Sequence, residues 1–140
     1  MKSCLVDTGI VYAIYDRSDD WHARAMDFAA AYRGRLALAT CAIPEVAYLV
    51  NKFLGARAEE AFVLDLARGE FALEELTKKD YVRAAQLIAI HKKLDIGFVD
   101  AATVALSERL KIADIATTDR RHFSVIKPAH RPALNLLPAE

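Results

Sequence analysis

The sequence predicts an α/β protein with a mainly parallel sheet. Short apolar runs alternate with longer stretches of helical periodicity along the chain, the pattern of strands joined by helical crossovers. With 54% hydrophobic residues over 140 positions the chain can bury a full core, while its length leaves little room for a second domain. No repeat, low-complexity tract or linker interrupts it, so residues 1–140 are expected to form one domain.

Residues 4–6, Cys-Leu-Val, form a short apolar run that ends at Asp7-Thr8-Gly9, which reads as a buried strand and a turn. Ile10 to Tyr15 is apolar again and predicts one or two helical turns, with the Thr8 hydroxyl as a candidate cap. Ser18-Asp19-Asp20 gives a polar start to a longer helix. On it Trp21, Ala25, Phe28 and Tyr32 share one face, and Gly34 is placed to stop it. Leu36 to Ala39 is a second strand ending near Thr40. Pro44 fits the first turn of the helix that follows, which carries Val46, Leu49, Val50 and Phe53 inward and closes before Gly55.

Another helix is expected over about 57–68, with Phe62, Val63 and Leu66 as its apolar residues and Gly69 as its stop. Phe71-Ala72-Leu73 reads as a strand. Thr77-Lys78-Lys79-Asp80 has the form of a capping box with Asp in place of Glu. The helix it opens should run to about Lys93, with Tyr81, Ala84, Ala85, Ile88 and His91 on one side. After Gly97 a helix begins near Val99 and continues to about Lys111. Ile112 to Thr118 reads as a late strand and Val125-Ile126 as a final short one. Pro128, Pro132 and Pro138 keep the tail from being helical.

The 19 basic and 19 acidic residues give a formal net charge of zero, which argues against coating nucleic acid through bulk charge. A local basic run remains: Arg120, Arg121 and His122, then Lys127, His130 and Arg131. Arg120, Arg121, Lys127 and Arg131 could hold RNA phosphates, or the run is an ordinary solvated loop. Cys4 and Cys41 each sit in an apolar run, the pattern of small buried hydrophobes rather than of a disulfide framework or a thiolate zinc site. Lys2 is followed by only a short apolar run before Asp7, which does not read as a signal peptide. No stretch approaches the roughly 18 apolar residues that span a bilayer. The expected location is the cytoplasm, without membrane contact.

Four acids carry the chemical signal. In a parallel sheet, sites form outside the carboxyl ends of strands near a switch in strand order. Asp7 and Asp119 sit where the first and the late strand should end, while Glu45 and Asp100 open helices. Clustered carboxylates repel and raise one another's affinity for protons. A hard divalent cation such as Mg²⁺ or Mn²⁺ removes that penalty and can neutralise charge on a phosphoryl oxygen. Taken singly, each acid also has a plain reading: an Asp before a helix caps it, and Glu45 on a first turn offsets the helix dipole. Asp95, before Gly97, reads as turn chemistry. His22 and His91 lie on helices among apolar neighbours, where packing explains them.

The order and context of the acids resemble the PIN-domain family. Leu5-Val6-Asp7-Thr8-Gly9 is similar to its opening strand and first acid, and Thr40 to Glu45 to its second. Phe98-Val99-Asp100-Ala101 resembles the third, and Ala116-Thr117-Thr118-Asp119-Arg120-Arg121-His122-Phe123 the strand end carrying the fourth. The likeness covers nearly the whole chain. It implies a three-layer α/β/α fold and a metal-dependent endoribonuclease leaving 5′-phosphate and 3′-hydroxyl ends. Asp7, Glu45, Asp100 and Asp119 would be its catalytic metal ligands, and Mg²⁺ or Mn²⁺ its cofactor. Thr8 and Thr118 would assist through their hydroxyls, though Thr8 also reads as a plain cap. Small members of this family are often VapC-type toxins, which implies an antitoxin partner and a homodimer. Some relatives carry a further acid after the fourth, where this chain has Arg121 and His122, so a second metal position is in question.

Two other readings compete. A phosphatase with Asp7 as nucleophile would need a second Asp two residues on, where Gly9 stands. A non-catalytic RNA- or protein-binding module of the same fold is expected to have lost its acids, and all four are present.

Overall fold

The computed structural model describes residues 1–139. Five parallel strands form one sheet: β1 (Ser3–Val6), β2 (Arg35–Ala39), β3 (Ala72–Glu74), β4 (Asp114–Ala116) and β5 (Asn135–Leu137). Seven helices flank it: α1 (Thr8–Tyr15), α2 (His22–Ala31), α3 (Ile43–Leu54), α4 (Ala56–Ala67), α5 (Lys78–Ile90), α6 (Phe98–Leu110) and α7 (Arg120–Val125). The strand order is β3-β2-β1-β4-β5. The chain steps outward from β1 to β3, then returns to the other side of β1 for β4. The order therefore switches between β1 and β4, where a parallel sheet opens a crevice at its carboxyl edge.

Alternation along the strands builds the three layers. Cys4, Val6 and Leu38 point into one core with Ile10, Val11, Val46, Val50 and Phe62 from α1, α3 and α4. Leu5, Ala37 and Ala39 point to the opposite face and meet Ala84, Leu87, Ala101, Val104, Leu106 and Phe123 from α5, α6 and α7. The α/β/α sandwich expected from the family resemblance is the fold observed.

Several local expectations change. The cap of α1 is the Asp7 carboxylate, which accepts the Ile10 N–H, and not the Thr8 hydroxyl. Gly34 does not stop α2, which ends at Ala31. It lets the chain pass the Lys2 carbonyl, against which a Cβ would collide. Gly69 does stop α4, with φ +79° and the Glu70 N–H returning to the Asp65 carbonyl. On α3, Phe53 is 61% exposed instead of inward. Val63 of α4 is exposed as well.

The capping box at Thr77 and Asp80 is present, and Asp80 also takes Arg109 Nε at 2.9 Å. The helix it opens stops at Ile90 and buries Asp80, Ala84 and Leu87, so its inner face is rotated from the expected Tyr81, Ala85 and Ile88. β4 is shorter than Ile112 to Thr118, and Val125-Ile126 closes α7 instead of forming a strand. The last strand is β5, which lies between Pro132 and Pro138.

Candidate metal centre

Asp7 follows directly from β1, and its N–H continues the ladder to the Ala116 carbonyl of β4 at 3.0 Å. That bond fixes the carboxylate at the switch point. Oδ1 accepts the Ile10 N–H at 3.0 Å, and Oδ2 accepts the Thr117 hydroxyl. Thr117 is fully buried, and its Oγ1 also accepts the Asp119 N–H at 3.0 Å. One hydroxyl thus ties the end of β1 to the turn after β4.

Asp100 is the third residue of α6, and Asp119 caps α7, its Oδ1 accepting the Arg121 N–H at 3.2 Å. His122, one turn after Asp119 and 8% exposed, turns its imidazole between the two acids. Nδ1 stands 3.1 Å from Asp100 Oδ2 and 3.7 Å from Asp119 Oδ2. Ligand atoms of Asp100, Asp119 and His122 all lie within 4.8 Å of one another.

The electrostatics match this crowding. Burial pushes the Asp7 carboxyl up to about 7; the Thr117 and Ile10 hydrogen bonds oppose the rise, and Asp100 and Asp119 add to it. Asp100 is raised by burial, with His122 opposing and the charges of Asp119 and Glu45 adding. Glu45 is itself exposed, on the first turn of α3, so it stands at the rim of the group rather than within it.

Of the four acids singled out by sequence, Asp100 and Asp119 meet directly, Asp7 lies beside them with both oxygens engaged, and Glu45 looks in from outside. His122 is the donor that sequence reasoning did not place. The hydroxyl on Asp7 belongs to Thr117, not to Thr118, which packs against Gly9 instead. Thr8 Oγ1 is buried without a hydrogen-bond partner. Carboxylate oxygens plus one imidazole suit Mg²⁺ or, given the nitrogen, Mn²⁺. The residues present fit such an ion, because a cation offsets both the burial that chiefly lifts Asp7 and Asp100 and the neighbouring negative charges that add to it.

Of the basic residues, Arg120 Nη2 donates to the Pro138 carbonyl, and Arg121 approaches Asp119 at 3.9 Å. Lys127 and Arg131 are exposed on the tail beyond α7. A cavity of about 680 Å³ lined by Met1, Tyr15, Met26, Leu36 and Phe71 opens near the amino ends of β1, β2 and β3, and none of Asp7, Glu45, Asp100 and Asp119 lines it. No helix among the described residues is long and apolar enough to cross a membrane.

The chain is similar to a protein named ribonuclease VapC26 from Mycobacterium tuberculosis (strain ATCC 25618 / H37Rv), with 29% identity over 134 residues, 96% of this chain and 99% of the relative. Among solved structures it resembles VapC20 of M. tuberculosis, described as a sarcin-ricin loop cleaving toxin. That match has a TM-score of 0.75 and 22% identity, covering 80% of this chain and 86% of the other. A toxin-antitoxin complex from Klebsiella pneumoniae aligns with a TM-score of 0.70 and 18% identity, over 94% and 99% of the two chains. The PIN domain model matches residues 4–127. The chain belongs to the PIN domain family.

Proposed function

We propose that this protein is a divalent-metal-dependent endoribonuclease that hydrolyses RNA phosphodiester bonds, acting as the toxin of a toxin–antitoxin pair. The observation that carries the reading is the meeting of Asp100, Asp119 and His122 beside Asp7 at the β1/β4 switch. The likeness to a protein named as a ribonuclease, over nearly the full length of both chains, supports it.

Asp100, Asp119 and His122 would hold Mg²⁺ or Mn²⁺. Asp7 completes the negative charge of the set once its proton leaves, and Glu45 adds to it from the rim. When bound, the ion supplies positive charge to a phosphoryl oxygen and lowers the pKa of a water. The protein's own part is positioning. Thr117 holds Asp7 Oδ2 through its hydroxyl, the Ile10 N–H holds Oδ1, and the caps of α1 and α7 fix where Asp7 and Asp119 stand. Arg121, Lys127 and Arg131 would attract the RNA backbone from the exposed side, since the neutral chain offers no bulk attraction.

An antitoxin is the expected protein partner, as in the solved toxin-antitoxin complex of the same fold. A second copy of the chain is the other, and exposed Tyr48 and Phe53 on α3 offer apolar surface for contact. Residues 1–140 would act as one catalytic unit in the cytoplasm. The test is purified protein against structured and total RNA, with Mg²⁺, Mn²⁺ or EDTA, beside Asp7→Asn. Metal-dependent cutting lost in the variant supports the reading. A folded protein that binds RNA but cuts under no metal points instead to a non-catalytic binding module.

A further inference from the structure

Trp21, at the start of α2, carries two guanidinium groups on its indole. Arg24 Cζ stands 3.6 Å from the ring centroid, and Arg120 Cζ stands 5.5 Å from it. Arg120 directly follows Asp119, so this stack continues from the acid cluster without a gap in the chain. Among the described residues, neither arginine forms an ion pair with a carboxylate. Asp19, close by in sequence, has Oδ1 engaged with the Trp21 N–H at 2.8 Å.

The geometry leaves donors unused. A guanidinium lying flat on an aromatic face keeps its N–H groups in its own plane, so stacking fixes the fork without occupying it. Among the described residues Arg24 is exposed and makes no hydrogen bond to a protein acceptor, whereas Arg120 is held in place by its Nη2 hydrogen bond to the Pro138 carbonyl. A fixed arginine fork with free donors matches a phosphate diester, whose oxygens accept in pairs. One such fork, on an indole that Arg120 also approaches directly after Asp119, suits a backbone phosphate rather than an internal ion pair.

We propose that Trp21, Arg24 and Arg120 form a subsite for a backbone phosphate of single-stranded RNA flanking the bond to be cut. This rests on the nuclease reading of the acid cluster. Trp21 is the platform, Arg24 the exposed phosphate ligand, and Arg120 the link between the subsite and the metal centre.

The test is anisotropy of a fluorescein-labelled single-stranded RNA with full-length protein in the Asp7→Asn background and Mg²⁺, titrated across salt concentrations. Arg24→Gln should weaken binding several-fold at low salt and reduce the slope of log K against log salt by about 0.7, the loss of one phosphate contact. Arg24→Lys, which keeps the charge without the fork, should fall between. A slope for Arg24→Gln equal to that of the parent, or no more reduced than that of Arg57→Gln on α4, would overturn the subsite. Cleavage by protein with Asp7 intact is measured alongside. Metal-dependent cutting with an unchanged Arg24→Gln slope removes the subsite alone, whereas neither cutting nor binding removes the nuclease reading and the subsite with it.

Discussion

His122 Nδ1 lies 3.1 Å from Asp100 Oδ2, so an imidazole from α7 reaches the acid that opens α6. The pair joins two elements that are distant in the chain, and it adds nitrogen to a set otherwise made of oxygen. Borderline ions such as Mn²⁺ accept imidazole more readily than Mg²⁺ does. His122→Ala is therefore expected to weaken Mn²⁺ binding by about 10–100-fold, and Mg²⁺ binding less. Calorimetric titration of both ions into the wild type and the variant checks this. Equal losses for the two ions would mean that the imidazole orients Asp100 without favouring either metal.

Asp7 makes the metal-free protein sensitive to pH. Its carboxyl is pushed up to about 7, chiefly by burial, against an ordinary value of 3.8. Between those values the folded chain retains a proton that the unfolded chain has released. Stability of the metal-free protein should thus fall as pH rises from about 4 to 7, then level off. Asp100 shifts in the same direction. Asp7→Asn keeps a capping oxygen for the Ile10 N–H and removes the charge. Its melting temperature in EDTA at pH 8 should exceed that of the wild type, with a flatter pH profile. Thermal melts across pH measure both, and a lower melting temperature for the variant would contradict this account of Asp7.

Gly9 is the second residue of α1, where alanine would ordinarily favour the helix by about 1 kcal/mol. A Cβ there would collide with the Thr118 hydroxyl. Gly9→Ala is therefore expected to show none of that gain, and Gly9→Ala with Thr118→Ala to recover it. A double-mutant cycle by urea unfolding should give a coupling of about 1 kcal/mol. Additive effects would show that the turn after β4 yields freely.

Asp80 is 3% exposed, closes the capping box with Thr77 and accepts Arg109 Nε through both oxygens. Asp80→Ala leaves a guanidinium and a helix start without their partner. It should cost about 2–4 kcal/mol of stability. Activity per folded molecule should be unchanged, because α5 begins away from the acid cluster. Denaturant unfolding and specific activity at low temperature separate the two effects.

Much of the fold was legible because strand ends and helix starts carry local signals. Cys4-Leu5-Val6 before Asp7, Pro44 before Glu45, and the Thr77–Asp80 box each mark their element from a few residues. What failed was phase and short length. α7 has only six residues, too few for a periodic pattern, so the one-turn relation of Asp119 to His122 could not be read. β4 has three residues, which cannot show whether Thr117 or Thr118 turns inward. The face of α5 was misjudged because Ala85 and Ile88 are as apolar as Ala84 and Leu87, and only packing against α6 separates them. β5 was missed because the flanking prolines mask a strand completed by pairing with β4.

Crystals of the protein soaked in Mn²⁺ and measured for anomalous scattering test the central claim most directly. A strong peak is expected in contact with the carboxylates of Asp100 and Asp119 and near His122, and its loss is expected in Asp119→Asn. A peak at another site, or none at the cluster with Mn²⁺ at saturation, would contradict a metal centre at the β1/β4 switch.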